Sequence, residues 1–196
     1  MPHHNPHSSH HHHDPAHHPE HSGKAIAILR VKPYEATSIP VFSPAVLADG
    51  KLDAQYAADH DNVSPPLTWT NVLEAETYCL IVEDPDAPMD KPFVHWLVWN
   101  IPGTADSLPR HLPVGNHPPE LNGAIQGRNS LGGHGWYGMK PPAGHGVHHY
   151  HFQLFALNRA LPFDAGASVD ELVQAMKGCT IASGELVGTY EIKEGR

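Results

Sequence analysis

Three short stretches of the sequence gather carboxylates, imidazoles and a phenol next to apolar runs. In Asp84-Pro-Asp-Ala-Pro88 the two acids, Asp84 and Asp86, stand two residues apart. Pro85 and Pro88 hold φ near about −65°, so both carboxylates are presented at low entropic cost. His95 interrupts the apolar run 93–101. In Gly144-His-Gly-Val-His148-His-Tyr150, preceded by Pro141-Pro142, an extended backbone puts His148 and Tyr150 on one face. A neutral imidazole carries one N–H donor, an imidazolium two, and a phenol one O–H. Such donors gathered beside carboxylates could bind an anion. Two histidines and a carboxylate could alternatively hold a metal for hydrolytic or oxygen chemistry. Each stretch alone also has an ordinary reading. Aspartate in a proline turn caps its own backbone, a single strand histidine is a hydrogen-bonded core residue, and His148 and Tyr150 are amphipathic side chains. No nucleophile is paired with a base at a recognisable spacing.

These groups need elements to hold them. The partly alternating segment 25–31 predicts a first strand, followed by an extended region around Ile39, Val41 and Phe42 that is punctuated by Pro33, Pro40 and Pro44. Leu67-Thr-Trp69 reads as a short strand and the β-rich run 77–82 as a longer one that Pro85 and Pro88 stop. Along 93–101 strict alternation puts His95, Leu97 and Trp99 on one face and Val94, Trp96 and Val98 on the other. Both faces are apolar, as in a central strand covered on two sides. The glycine- and proline-rich stretch 102–146 lacks periodicity, and long irregular stretches in compact domains are usually functional. The run 147–157 is a third strong strand, with His149 pointing away from the face of His148 and Tyr150. Ser168-Val-Asp-Glu171 is a capping box opening a helix with Leu172, Val173 and Met176 on one side and Gly178 as its stop. A short turn over 181–185 and a closing strand over 186–192 complete the reading. Trp136 and Tyr137 are read as core, and Cys79 as a buried, inert thiol. With one late helix and no βαβ alternation, the fold class is mainly β and antiparallel.

Composition narrows the function. The 196-residue chain carries 12 Lys+Arg against 21 Asp+Glu, a formal charge of −9. That balance argues against nucleic acid, whose binding proteins neutralise phosphates with basic side chains, and against a polybasic membrane surface protein. No run approaches the roughly 18 apolar residues of a membrane span, so no integral membrane association is expected. No secretory signal is recognised, and two cysteines suit a reducing compartment, so the expected location is cytoplasmic. Ten of the 19 histidines lie in residues 1–21 among four prolines. Residues 1–23 are therefore read as a disordered histidine-rich tail that cannot bury enough apolar surface to fold. It is a natural metal-sequestering tail, an expression tag or an inert leader, and residues 24–196 are read as a single domain.

Taken together, the motifs resemble the phosphatidylethanolamine-binding protein family, also called Raf-kinase-inhibitor-like proteins. The first family signature is similar to Asp84-Pro-Asp-Ala-Pro88 followed by Phe93-Val-His-Trp-Leu-Val-Trp-Asn-Ile-Pro-Gly103, the second to Gly146-Val-His-His-Tyr-His-Phe-Gln-Leu-Phe155. Ser64-Pro-Pro-Leu-Thr-Trp69, Asn129-Ser130, Pro141-Pro-Ala-Gly144, Ala175-Met-Lys-Gly178 and Glu185-Leu-Val-Gly-Thr-Tyr190 resemble its bacterial branch. The resemblance covers about residues 39–190. One departure is His149, where the family usually has arginine. It puts in doubt a salt bridge to a carboxylate, for which histidine is a weaker and pH-dependent substitute.

The resemblance implies a large central sheet, a smaller second sheet, a few peripheral helices and a cavity lined by Asp84, Asp86, His95, Pro141, Pro142, His148 and Tyr150. It implies that this cavity accepts anions such as phosphate, phosphorylated head groups or acetate; the reading adopted is reversible binding of a small anionic or zwitterionic phospho-ligand or of a phosphopeptide, with no cofactor and no turnover. A homodimer is compatible with it, as is a kinase- or protease-inhibiting role through surface loops such as 110–135 with a partner the sequence does not name. In this reading His95 and His148 donate to the anion as imidazolium, their pKa raised by the nearby carboxylates. Asp84 and Asp86 orient the rings or accept from the ligand. Binding then weakens as pH rises through the histidine range.

Overall fold

The apolar runs separate into two sets, and each set builds one face of a five-stranded sheet. The computed structural model describes residues 24–32 and 37–195; the histidine-rich stretch 1–23 lies outside the described residues. The strands are β1 (Val41–Phe42), β2 (Leu67–Trp69), β3 (Thr77–Asp84), β4 (Phe93–Pro102), β5 (Ser107–Leu108), β6 (Ile125–Gln126), β7 (His148–Leu157) and β8 (Thr180–Tyr190). The larger sheet has the order β6-β4-β3-β7-β8, the smaller β1-β2-β5, and every pairing within them is antiparallel. The fold is therefore mainly β, with two antiparallel sheets and few helices, as the sequence predicts. No helix among the described residues is long and apolar enough to cross a membrane.

Alternation along β3 and β7 explains the layering. Tyr78, Leu80 and Val82 on β3 and Tyr150, Phe152 and Leu154 on β7 pack with Val41, Leu67, Trp69 and Leu108 of the smaller sheet. Cys79, Ile81, Phe155 and Leu157 point the other way, onto Ala27 and onto Leu172, Val173 and Met176 of helix α2 (Val169–Met176). The capping box predicted for α2 is present. The Ser168 hydroxyl accepts from Glu171 N–H at 3.1 Å, and the Glu171 carboxylate accepts from Ser168 N–H at 3.2 Å.

Two expectations fail. The segment 25–31 is not a strand; it contains a helical turn, α1 (Ala27–Arg30). Its first N–H groups are satisfied from below by buried side chains rather than by a neighbouring strand. Ala27 N–H donates to Glu83 Oε1 at 2.8 Å and Ile28 N–H to Gln153 Oε1 at 2.7 Å. Nor is there a turn at 181–185, because β8 runs unbroken from Thr180. Gly184 lets that strand lie against the 37–39 segment, where a Cβ would overlap the Ile39 carbonyl oxygen.

Candidate functional site

Antiparallel pairing brings the C-terminal end of β3 and the N-terminal ends of β4 and β7 together at one end of the larger sheet, carrying Asp84, His95, His148 and Tyr150 with them. The position of His95 depends on an irregularity. Val82 pairs with Trp96 but Glu83 pairs with Val94, so His95 is the extra residue of a β-bulge, a device that re-aims side chains. The alternation expected for 93–101 therefore breaks. His95 does not share the face of Leu97 and Trp99, which pack on the α2 side. Its ring lies instead 5.0 Å from that of Tyr150 and 6.0 Å from that of Trp136.

These residues surround a cavity of about 290 Å³ lined by Asp84, Ala87, Pro88, Met89, Phe93, His95, Leu131, Tyr137, Lys140, Pro141, Pro142, His148 and Tyr150. The volume is at the small end of ligand pockets. Six of the seven residues singled out in the sequence thus meet in one recess; Asp86 does not line it. The Asp86 carboxylate turns to β7, where one oxygen accepts from both His149 N–H and His149 Nδ1 at 2.8 Å. Tyr137, read as core, is a wall of the recess, whereas Trp136 is core as expected. The segment that carries both is pinned by Gly138, whose N–H donates to Asn62 Oδ1 at 2.7 Å. A side chain at Gly138 would overlap the Tyr56 carbonyl.

Each polar group in the recess has a defined state. Asp84 is buried and accepts twice, from Asp86 N–H at 2.8 Å and from His148 Nδ1 at 2.7 Å. His148 Nε2 lies 2.7 Å from Nδ1 of His145, an exposed residue. Both nitrogens of His148 are thus engaged, and nothing in the sequence marks His145 beyond its place between two glycines. His95 Nδ1 is 2.6 Å from the Tyr137 carbonyl, which can only accept, so that nitrogen carries the proton and Nε2 of the neutral ring presents a lone pair. Burial pushes the His95 pKa down to about 4, against the weaker upward pull of the Tyr137 carbonyl and Asp84. This corrects the expectation of a raised pKa: desolvation of the cation outweighs the carboxylate for His95. Burial drives the Tyr150 phenol the other way, well above its usual range, so it keeps its proton. No hydrogen bond among the described residues engages the Tyr150 hydroxyl. The cation in the lining, Lys140, is exposed and 3.3 Å from Asp59 Oδ1.

A metal held by His95, His148 and Asp84 together does not fit this geometry. Both Asp84 oxygens are already committed, and among the described residues no group of three histidine, cysteine or acidic side chains is placed to hold a metal ion.

A family model described as phosphatidylethanolamine-binding protein matches residues 42–191. The chain is 42% identical over 146 residues to a UPF0098 protein of Pyrococcus abyssi, covering 74% of this chain and 81% of that one. It is 35% identical over 165 residues to the UPF0098 protein YbcL of Escherichia coli, covering 82% and 88% respectively. The crystal structure of E. coli YbcL, described as a new member of the mammalian PEBP family, superposes with a TM-score of 0.73 at 33% identity, over 80% of this chain and 100% of that one. A PEBP homologue from Chlamydia trachomatis gives 0.69 at 31% identity, over 80% and 99%.

Proposed function

The chain belongs to the phosphatidylethanolamine-binding protein family, and we propose that it is a cytoplasmic, reversible receptor, not an enzyme, whose cavity takes the phosphoryl group of a zwitterionic or hydroxylated phospho-ligand. The observation that carries the reading is the Tyr150 hydroxyl, a protonated donor on the cavity wall with no partner among the described residues. A donor that faces the cavity is available to a ligand oxygen without first breaking a bond inside the protein. A phosphoryl oxygen is a fitting acceptor, while the apolar wall of Pro88, Phe93, Pro141 and Tyr137 excludes water around it.

The neutral His95 constrains the charge of the ligand. Its Nε2 lone pair and the Asp84 carboxylate both repel a fully ionised phosphoryl group. The complex therefore carries one proton shared between ligand and His95, either as P–O–H donating to Nε2 or as an imidazolium paired with the dianion. A phosphate monoester loses its second proton near about pH 6. Above that value binding must take up a proton, and affinity falls by up to about tenfold per pH unit. Calorimetric titration of phosphoethanolamine at about pH 6 and about pH 8, in buffers of different ionisation heat, tests this. Tighter binding at the lower pH with uptake near one proton at the higher is expected; equal affinity at both overturns the assignment. Tyr150→Phe is expected to weaken binding about 10–100-fold, the loss of a hydrogen bond to a charged group.

A further inference from the structure

The pair His145 and His148 has a geometry that the phospho-ligand reading does not use. His148 Nδ1 is held by Asp84 Oδ2 at 2.7 Å, which fixes its tautomer and aims the Nε2 lone pair outward. A carboxylate behind a histidine is the arrangement that orients and strengthens imidazole ligands in metal sites. What faces Nε2 is a second imidazole nitrogen, Nδ1 of His145, at 2.7 Å. We propose that His145 and His148 form a binding site for a borderline divalent cation such as zinc, with Asp84 as the outer carboxylate and water in the remaining positions.

The site can open without disturbing the sheet. Metal–nitrogen bonds of about 2.0–2.1 Å at a tetrahedral angle need nitrogens roughly 3.3 Å apart and both lone pairs aimed at the ion rather than at each other, so with His148 fixed the His145 ring must swing off the present N–N line by roughly 2 Å. His148 is buried in β7 and stays. His145 is exposed, and its ring can turn about its own side-chain bonds while the backbone around it stays tied, Gly144 N–H to the Ile192 carbonyl at 2.8 Å and His145 N–H to the Pro142 carbonyl at 3.1 Å. No group need ionise. The proton that His145 Nδ1 shares with His148 Nε2 moves to His145 Nε2, leaving both facing nitrogens unprotonated toward the metal. The exposed side of His145 gives the ion its path and its water ligands.

The ten histidines of residues 1–21 would bind metal too, so the experiment uses the full-length chain with those ten replaced by glutamine. Zinc alone, without phosphate, is titrated by calorimetry, and the imidazole nitrogens are followed by long-range proton–nitrogen NMR. One equivalent is expected, with His145 and His148 nitrogens shifting while those of His60, His117 and His149 stay. His145→Ala, at an exposed turn, is expected to weaken that equivalent at least tenfold with an unchanged melting temperature. Asp84→Asn is expected to weaken it about 10–100-fold. Zinc binding of unaltered strength in His145→Ala, or no equivalent in the parent chain, overturns the proposal. Because phosphate is absent, either outcome leaves the phospho-ligand reading to its own titration.

Discussion

His95 couples the cavity to the stability of the whole chain through its proton. Its ordinary pKa of 6.5 falls to about 4 in the folded state, first because burial disfavours the imidazolium. Between those two values the unfolded chain binds more protons than the folded one. Folding stability from this residue is therefore complete above about pH 6.5 and is lost as pH falls through about 4. A shift of this size corresponds to about 3 kcal/mol. Urea unfolding of the parent chain across that window is expected to lose about 3 kcal/mol more than His95→Gln, whose amide does not titrate. Parallel profiles for the two would remove the buried neutral ring from the account. The residues of the recess were legible in the sequence because the motifs that carry them resemble the family's signatures; their types and spacings alone left ordinary readings open. Their protonation states were not legible. The sign for His95 turns on how far burial outweighs Asp84, and burial is a property of Trp136, Tyr137 and Tyr150 arriving from distant positions.

The β3–β4 connection, residues 85–92, is the element that forms one side of the cavity, and it is tied down by side chains rather than by a ladder. Asp84 holds the N–H of Asp86, Lys24 donates to the Ala87 carbonyl, and Asp86 grips His149 through both its N–H and its ring. The two carboxylates of Asp84-Pro-Asp86 thus engage consecutive histidines of β7 on opposite faces, and His149 holds a carboxylate where the resemblance anticipates an arginine doing so. Asp86→Ala leaves the half-buried His149 N–H without its acceptor and is expected to cost about 1 kcal/mol. That corresponds to a melting temperature lower by a few degrees in a chain of this size. An unchanged melt would show the clamp to be idle. Strands such as β3, β4 and β7 could be read from apolar runs because each run is long and bounded by proline or glycine. The bulge at His95 could not, since alternation has no term for an inserted residue. The segment of the helical turn α1 reads as a strand in the sequence because Ile26 and Ile28 alternate. Its conformation is decided by Glu83 and Gln153, acceptors 56 and 125 positions away from their donors.

At the scale of the molecule, three layers stack: the small sheet, the large sheet, and α1 with α2. They are unequal. All eight residues of β3 are buried, and β3 is paired on both edges by long strands. The strands of the small sheet have two or three residues each, and Phe42 on β1 is 60% exposed. Local opening free energy follows buried contact and pairing, so amide exchange should be slowest in β3 and β7 and markedly faster in β1, β2 and β5. The cavity straddles this gradient. Asp84, His148 and Tyr150 belong to the slow strands, whereas Met89, Leu131, Pro141 and Pro142 sit in connecting segments. Phosphoethanolamine should therefore leave exchange in the floor strands almost unchanged, because it is already near the limit set by global unfolding. It should slow exchange in the connecting segments 85–92, 128–133 and 138–146, where a bound anion adds the contacts that are otherwise few. Exchange mass spectrometry with and without ligand measures both patterns. Protection rising in β3 and β7 while those segments stay unchanged would place the ligand elsewhere on the molecule.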